Sequence, residues 1–252
     1  MPQNKNFKLT IEYDGTDYSG WQRQQDRTTV QGELESVLSL ILNREIRIAG
    51  SGRTDAGVHA HGQVATFTAE TAMEAADLVK AVNSLLKRQP IVVRDACEMP
   101  ESFHAQYSAQ SKEYHYWILN AKIPSALGAR YLWHVHQPLD LDAMEACCRK
   151  IIGIHDFKSF ENVGSPRSST VREIFSASME KKSRDRLVFK VCASGFLKNM
   201  VRNLMGSIVA AGRRKITPDE FEAILKARDR TLADATAPAK GLFLHQVNYP
   251  EV

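Results

Sequence analysis

Three observations in the amino-acid sequence predict an α+β protein built from two similar halves. Residues 7–97 read as strand, helix, strand, strand, helix, strand. A similar order recurs over residues 113–249 with no recognisable sequence repeat. The length, 252 residues, suits one large domain or two small ones. The order βαββαβ is the split unit of ferredoxin-like folds. The expectation is therefore two ferredoxin-like halves, residues 1–105 and 106–252, whose antiparallel sheets adjoin around a central cleft, where ligands tend to bind.

Each element has its own signal. Residues 7–13 alternate apolar and polar and predict a strand. Thr28-x-x-Gln31 offers a capping box, and Val30, Leu34, Val37, Leu38 and Ile41 follow at helical spacing. Residues 45–49 and 63–68 predict strands with a glycine-rich loop between them. Thr71-x-x-Glu74 opens a second helix carrying Leu78, Val82 and Leu86, which Pro90 ends before a strand at 91–97. In the second half, 113–119, 171–178, 186–193 and 242–249 read as strands. Helices are expected at 141–152, at 196–211 and from Thr217-Pro218, where proline takes the first helical position.

Composition narrows the function classes. Apolar residues make up 43% and charged residues 25%, enough for a real core. The opening residues lack the apolar region of a signal peptide, and no stretch approaches the roughly 20 apolar residues of a membrane helix. The four cysteines form no C-x-x-C, which argues against a zinc ribbon or a disulfide framework. These features predict a soluble cytoplasmic protein. Charge is uneven: residues 1–150 carry a net −2, and residues 151–252 a net +6. Such a basic half is either a solvated surface or a face for polyanions.

Several segments can carry chemistry. GSGRTDAGVHA, residues 50–60, holds three glycines in eight residues with Arg53 and Asp55 inside the turn. An aspartate held there is a nucleophile, a base, or an ordinary turn residue. His59-x-His61 and His134-x-His136 place two ligand types on one strand face, but a third ligand at useful spacing is missing, so no metal is expected. Walker A, G-x-G-x-x-G and G-x-S-x-G patterns are absent, which leaves no support for a nucleotide cofactor or a hydrolase elbow. Tyr114-His115-Tyr116-Trp117 puts aromatics on both faces of a strand, for the core or for stacking on a base. Lys198 and Arg202 fall four apart in the expected helix; an anion lies opposite them, or they form a solvated basic face.

Taken together and in this order, YDGTDYSGWQRQ, GSGRTDAGVHA, SKEYHYW, GIHDFKSF, GFLKNMVRNLMGSIV and APAKGLFLHQV closely resemble the tRNA pseudouridine synthase A family, from residue 13 to residue 247. The resemblance implies a cofactor-free isomerase. Such enzymes convert uridine to pseudouridine at positions 38, 39 and 40 of the tRNA anticodon stem-loop, as homodimers. By motif match, Asp55 would be the catalytic aspartate, Tyr114 would stack on the target uracil, Arg202 would pair with the carboxylate, and Arg53 would help hold the flipped-out nucleotide. Lys198-Asn199 departs from many relatives, which bears on local RNA contacts more than on chemistry. Arg23, Arg27, Arg167, Arg172, Lys181, Lys182 and Arg184, in or beside loops, are expected to line a basic groove for the tRNA backbone. Two competing readings are a non-catalytic RNA-binding protein and a metal-dependent hydrolase using the H-x-H pairs.

Overall fold

The computed structural model describes residues 2–162, 164 and 169–250. It is a mixed α+β chain in two compact units, residues 1–110 with 243–252, and residues 111–242. No helix among the described residues is long and apolar enough to cross a membrane.

The first unit contains β1 (Gln3–Tyr13), α1 (Val30–Leu42), β2 (Ala49–Gly50), β3 (His59–Thr71), α2 (Ala75–Leu85) and β4 (Ile91–Met99). It also takes in β10 (Leu242–Asn248) from Phe243 onward. β1 pairs antiparallel with both β3 and β4, β2 pairs antiparallel with β3, and β10 runs parallel to β3 at His59 and Ala60. Alternation in β1 buries Phe7, Leu9 and Ile11. Phe7 stands opposite Phe67 in register, and their rings stack at 5.3 Å. α1 adds Val30, Leu34 and Leu38 to the core, and α2 adds Leu78 and Val82.

Three local expectations are corrected here. The cap of α1 is Thr29, one residue on, and its side chain accepts from the Gly32 N–H. α2 begins at Ala75 after Glu74, which caps it without a side-chain bond. The expected strand at 45–49 is reduced to Ala49–Gly50. Ile46 and Ile48 are buried as a strand would bury them. Their N–H groups, however, donate to Ser39 Oγ (2.9 Å) and Glu35 Oε1 (3.1 Å), side chains of α1, instead of a neighbouring strand.

The second unit contains β5 (Ser111–Asn120), β6 (Trp133–Val135), α3 (Leu141–Lys150), β7 (Gly153–Asp156), β8 (Val171–Lys181), β9 (Arg186–Ala193), α4 (Met200–Gly212) and α5 (Pro218–Ala227). β9 lies antiparallel between β5 and β8, β7 pairs with β8, and β6 runs parallel to β5. β6 and β7 are additions to the expected order. α4 is the spine of the unit. Its residues are buried on nearly every side, as expected of a helix packed between layers, and α3 and α5 both pack on it. Thr217 and Glu220 close the capping box of α5, with Pro218 at the first helical position.

An ion-pair cluster joins α3 to α5. Lys150 Nζ reaches Glu222 Oε2 at 2.5 Å and Asp219 Oδ1 at 3.1 Å, and Lys226 pairs with Glu222 from within α5. Lys150 first, then Lys226, pulls the Glu222 carboxyl down to about 2 from its ordinary 4.5. A carboxyl depressed on folding contributes stability above its unfolded pKa and loses it as pH falls through the folded value. The melting-temperature difference between wild type and Glu222→Gln should therefore be constant at neutral pH, shrink below about pH 4.5 and vanish near pH 2. Melting curves across that range check it; a difference that survives at pH 2 would assign the effect to packing.

Candidate active site

In the first unit the glycine-rich turn is pinned from both flanks. Ser51 Oγ donates to Gln63 Oε1 at 2.7 Å, and Gln63 Nε2 donates to the Gly52 carbonyl at 3.0 Å. On the far side, Thr54 Oγ1 lies 2.6 Å from the buried Tyr13 hydroxyl, and the Thr54 carbonyl accepts from the Trp21 N–H at 3.1 Å. The Asp55 carbonyl accepts from the Val58 N–H at 3.1 Å, closing the turn. Burial pushes the Tyr13 phenol well up, and bonds from Thr54 and Gln63 offset only part of that. Tyr13 therefore remains a neutral strut at any working pH.

The segment 14–29 is threaded against this turn. Gly20 has φ +95°, and a Cβ there would meet the Thr54 carbonyl oxygen at 2.7 Å. Only glycine allows both that backbone and that approach. Asp55 sits between buried Thr54 and exposed Ala56 and is itself half-buried. Arg53 is exposed on the same turn.

The two His-x-His pairs fall in different units. His59 and His61 share a face of β3 as predicted, and their rings flank that of Phe243 at 4.7 and 4.9 Å. His59 Nδ1 also lies 3.0 Å from Asp14 Oδ1. In the second unit, His134 Nε2 is 2.7 Å from the Ala121 carbonyl, and His136 is exposed.

In the second unit, Tyr114 lies on β5 opposite Val191, is 7% exposed, and meets the Phe196 ring edge-on at 5.0 Å. Tyr116, two residues on, is fully buried and donates its hydroxyl to the Pro238 carbonyl at 2.6 Å. Burial pushes its phenol up, and the nearby Arg202 charge pulls back only partly. Arg202 stands on the first turn of α4. Its Nε donates to the Ala237 carbonyl at 2.8 Å, and its own carbonyl accepts from the Ala237 N–H at 3.1 Å. Arg202 and the tyrosine strand are thus fastened to adjacent carbonyls of one segment.

The expected helix at 196–211 starts four residues later, because Asn199 takes a left-handed φ of 60°. Lys198 precedes the helix, so Lys198 and Arg202 do not form an i,i+4 pair on one helical face.

Of the seven basic residues expected to face RNA, Arg23 pairs with Glu35 at 3.2 Å, and Lys182 pairs with Glu180. Arg27, Lys181 and Arg184 are exposed, and Arg172 donates to the Ser169 and Val171 carbonyls. Arg167 lies outside the described residues. Gln63 and Asn203 were missed by sequence reasoning. Each is fully buried but stands among polar neighbours, His61 and Thr66 for the first and Arg202 and Ser207 for the second, so no local pattern flags it.

Comparison with known proteins adds to this geometry. The family profile described as "tRNA pseudouridine synthase" matches residues 9–108 and 147–250. A tRNA pseudouridine synthase A 1 of Desulfotalea psychrophila is 44% identical over 252 residues, covering 97% of this chain and 100% of that one. The tRNA pseudouridine synthase A of a Thermoanaerobacter species is 41% identical over 245 residues, with 97% and 100% covered. That of Syntrophotalea carbinolica is 43% identical over 242 residues, with 96% and 95% covered. Among solved structures, an H/ACA RNP bound to a substrate RNA aligns at 14% identity and a TM-score of 0.38, over 81% of this chain and 43% of that one, a likeness too slight to argue from.

Proposed function

This chain belongs to the tRNA pseudouridine synthase family, and from that premise we propose that it isomerises uridine to pseudouridine in tRNA. The finer reading puts its targets at positions 38, 39 and 40 of the anticodon stem-loop. It further takes the enzyme to be a cytoplasmic homodimer of two ferredoxin-like halves. The N-terminal half, 1–105, carries the aspartate loop; the C-terminal half, 106–252, carries the tyrosine strand and the basic helix. The observation that carries the site is the turn at Asp55, fastened on both sides while Asp55 itself is half-buried.

The reaction breaks the N1–C1′ bond, turns the uracil and joins C5 to C1′. The C5 proton leaves, N1 regains a proton, and atoms and electrons balance with no redox partner. In this reading Asp55 is the nucleophile, adding to the ring or the sugar, or it assists loss of the C2′ proton. Arg202 serves as its counter-ion and keeps it anionic once water is excluded. Lysine would serve less well, because it lacks the planar fork that matches a carboxylate. Tyr114 stacks on the detached uracil and keeps it from escaping. Arg53, exposed on the aspartate turn, holds the extruded nucleotide. Extrusion costs a few kcal/mol, which basic contacts to the RNA backbone offset.

Transcribed tRNA carrying deuterium at uridine C5 tests the activity. Each isomerised uridine should lose one deuterium, and nucleoside analysis should show a new nucleoside with the composition of unlabelled uridine. No deuterium loss and no new nucleoside would end the reading. Tyr114 has its own expected result. Tyr114→Phe should retain most of the affinity for tRNA, whereas Tyr114→Ala should lose about 1–3 kcal/mol of it. Turnover in Tyr114→Phe reports whether the hydroxyl takes the C5 proton. Equal affinities for the two variants would rule out stacking.

A further inference from the structure

Residues 229–241 carry no chemistry in the reading above, yet side chains fasten them at many points. Between Ala233 and Pro238 the backbone has neither helix nor strand to satisfy its polar groups. Side chains do it instead. Arg230 Nε donates to Asn162 Oδ1 at 3.2 Å. Its Nη1 donates to the carbonyls of Ala233 and Asp234, at 3.1 and 3.3 Å. Its Nη2 donates to Asn203 Oδ1 and Thr236 Oγ1, both at 3.1 Å. A guanidinium has five N–H groups, and five acceptors receive them. That arithmetic leaves Arg230 no donor for an RNA phosphate, although it is an arginine in a basic half.

The fastening leads to Arg202. Asn203, wholly buried and next to Arg202 on α4, accepts from Thr236 Oγ1 at 2.6 Å as well as from Arg230. Its Nδ2 donates to the Phe160 carbonyl and to Asn162 Oδ1, at 2.8 and 3.0 Å. The Asp234 N–H donates to Ser207 Oγ at 3.2 Å, one turn along the same helix. The next fixed residue is Ala237, whose carbonyl holds Arg202 Nε and whose N–H holds the Arg202 carbonyl.

We propose that Arg230 is a positioning residue for isomerisation: it fastens residues 233–237 along α4 so that the Ala237 carbonyl aims the Arg202 guanidinium. The inference rests on the reading of Arg202 as the carboxylate's counter-ion. A misplacement of about 1 Å in a reacting constellation costs on the order of 100-fold in rate. Lysine at 230 offers three donors without the planar fork, so it is not a conservative replacement.

The experiment compares Arg230→Gln, Arg230→Lys, Arg202→Gln and the double variant Arg202→Gln/Arg230→Gln, each measured for kcat, KM and melting temperature with transcribed tRNA. Arg230→Gln and Arg230→Lys should both lose about 30- to 100-fold in kcat at temperatures where they are folded, with KM within about threefold. Added to Arg202→Gln, the Arg230 change should cost less than about threefold more, because the group it aims is already gone. If Arg230→Gln does not fold, Thr236→Val carries the test. It removes one hydroxyl from the network and should cost about fivefold in kcat at unchanged KM. Wild-type kcat in the Arg230 or Thr236 variants, or losses that multiply in the double variant, would overturn the proposal. Arg202→Gln with wild-type turnover would instead bring down the reading of Arg202, and this inference with it.

Discussion

Asp55→Asn should abolish isomerisation while leaving the protein folded and able to bind tRNA. Asparagine matches aspartate in shape, and what shapes the turn is largely backbone and neighbours: the Asp55 carbonyl to the Val58 N–H, Gln63 on Gly52, and Tyr13 and Trp21 on Thr54. An amide cannot act as the nucleophile or the base this isomerisation needs, so kcat should fall by at least ~10^4-fold, the scale seen when a nucleophile is removed. Affinity for tRNA should stay within about threefold, since RNA binding rests on phosphate contacts. The melting temperature should move by less than about 2 °C. Single-turnover assays with filter binding and melting curves check all three. Turnover within about tenfold of wild type would remove Asp55 from the chemistry.

Gly206→Ala should be damaging, against the usual sign for such a change. Alanine in a helix interior is ordinarily favoured over glycine by about 1 kcal/mol. At Gly206 the added Cβ would stand 2.0 Å from the Ala235 carbonyl oxygen, so backbone would meet backbone, with no flexible side chain to yield. Opening that contact requires a shift of more than about 1 Å, and overpacking of this kind costs typically 1–3 kcal/mol. The shift falls on the segment that aims Arg202. Turnover should therefore fall about 100-fold, together with a net loss of about 1–2 kcal/mol in stability. Gly212→Ala is the internal comparison, because its closest neighbour at 2.7 Å is the thioether of Met144, which can swing aside. Chemical denaturation and turnover of the two variants check the contrast. Equal behaviour would show that residues 233–237 give way freely.

The sequence was legible where period and packing agree. β1 and β4 alternate and are strands, and the first α5 turn follows its capping box and proline. It was misleading where side chains replaced a ladder. Residues 45–49 alternate and bury Ile46 and Ile48, but Ser39 and Glu35 take their N–H groups, so only the last residue of that run is strand. α4 was placed too early because its apolar pattern starts at Phe196, and periodicity does not report the left-handed φ of Asn199. For the site, the motifs identified which residues to watch but not what supports them. The bonds to Asp55's neighbours come from Tyr13, Trp21 and Gln63, and those at Arg202 and Asn203 come from residues 27 to 35 positions later in the chain. Long-range partners of that kind leave no local period to read.

The first unit is discontinuous along the polypeptide, and protein synthesis feels the consequence. Residues 1–110 leave the ribosome well before Phe243, which fills the gap between the His59 and His61 rings, and before β10, whose Leu244 stands beside Ala60. While residues 111–242 are being translated, that edge of β3 lacks its parallel partner and offers bare backbone donors and acceptors, the kind of edge that recruits wrong strands. The nascent chain must carry this open seam through 132 further residues, so the interval before β10 arrives is when chaperone contact or misassembly would bear hardest on yield.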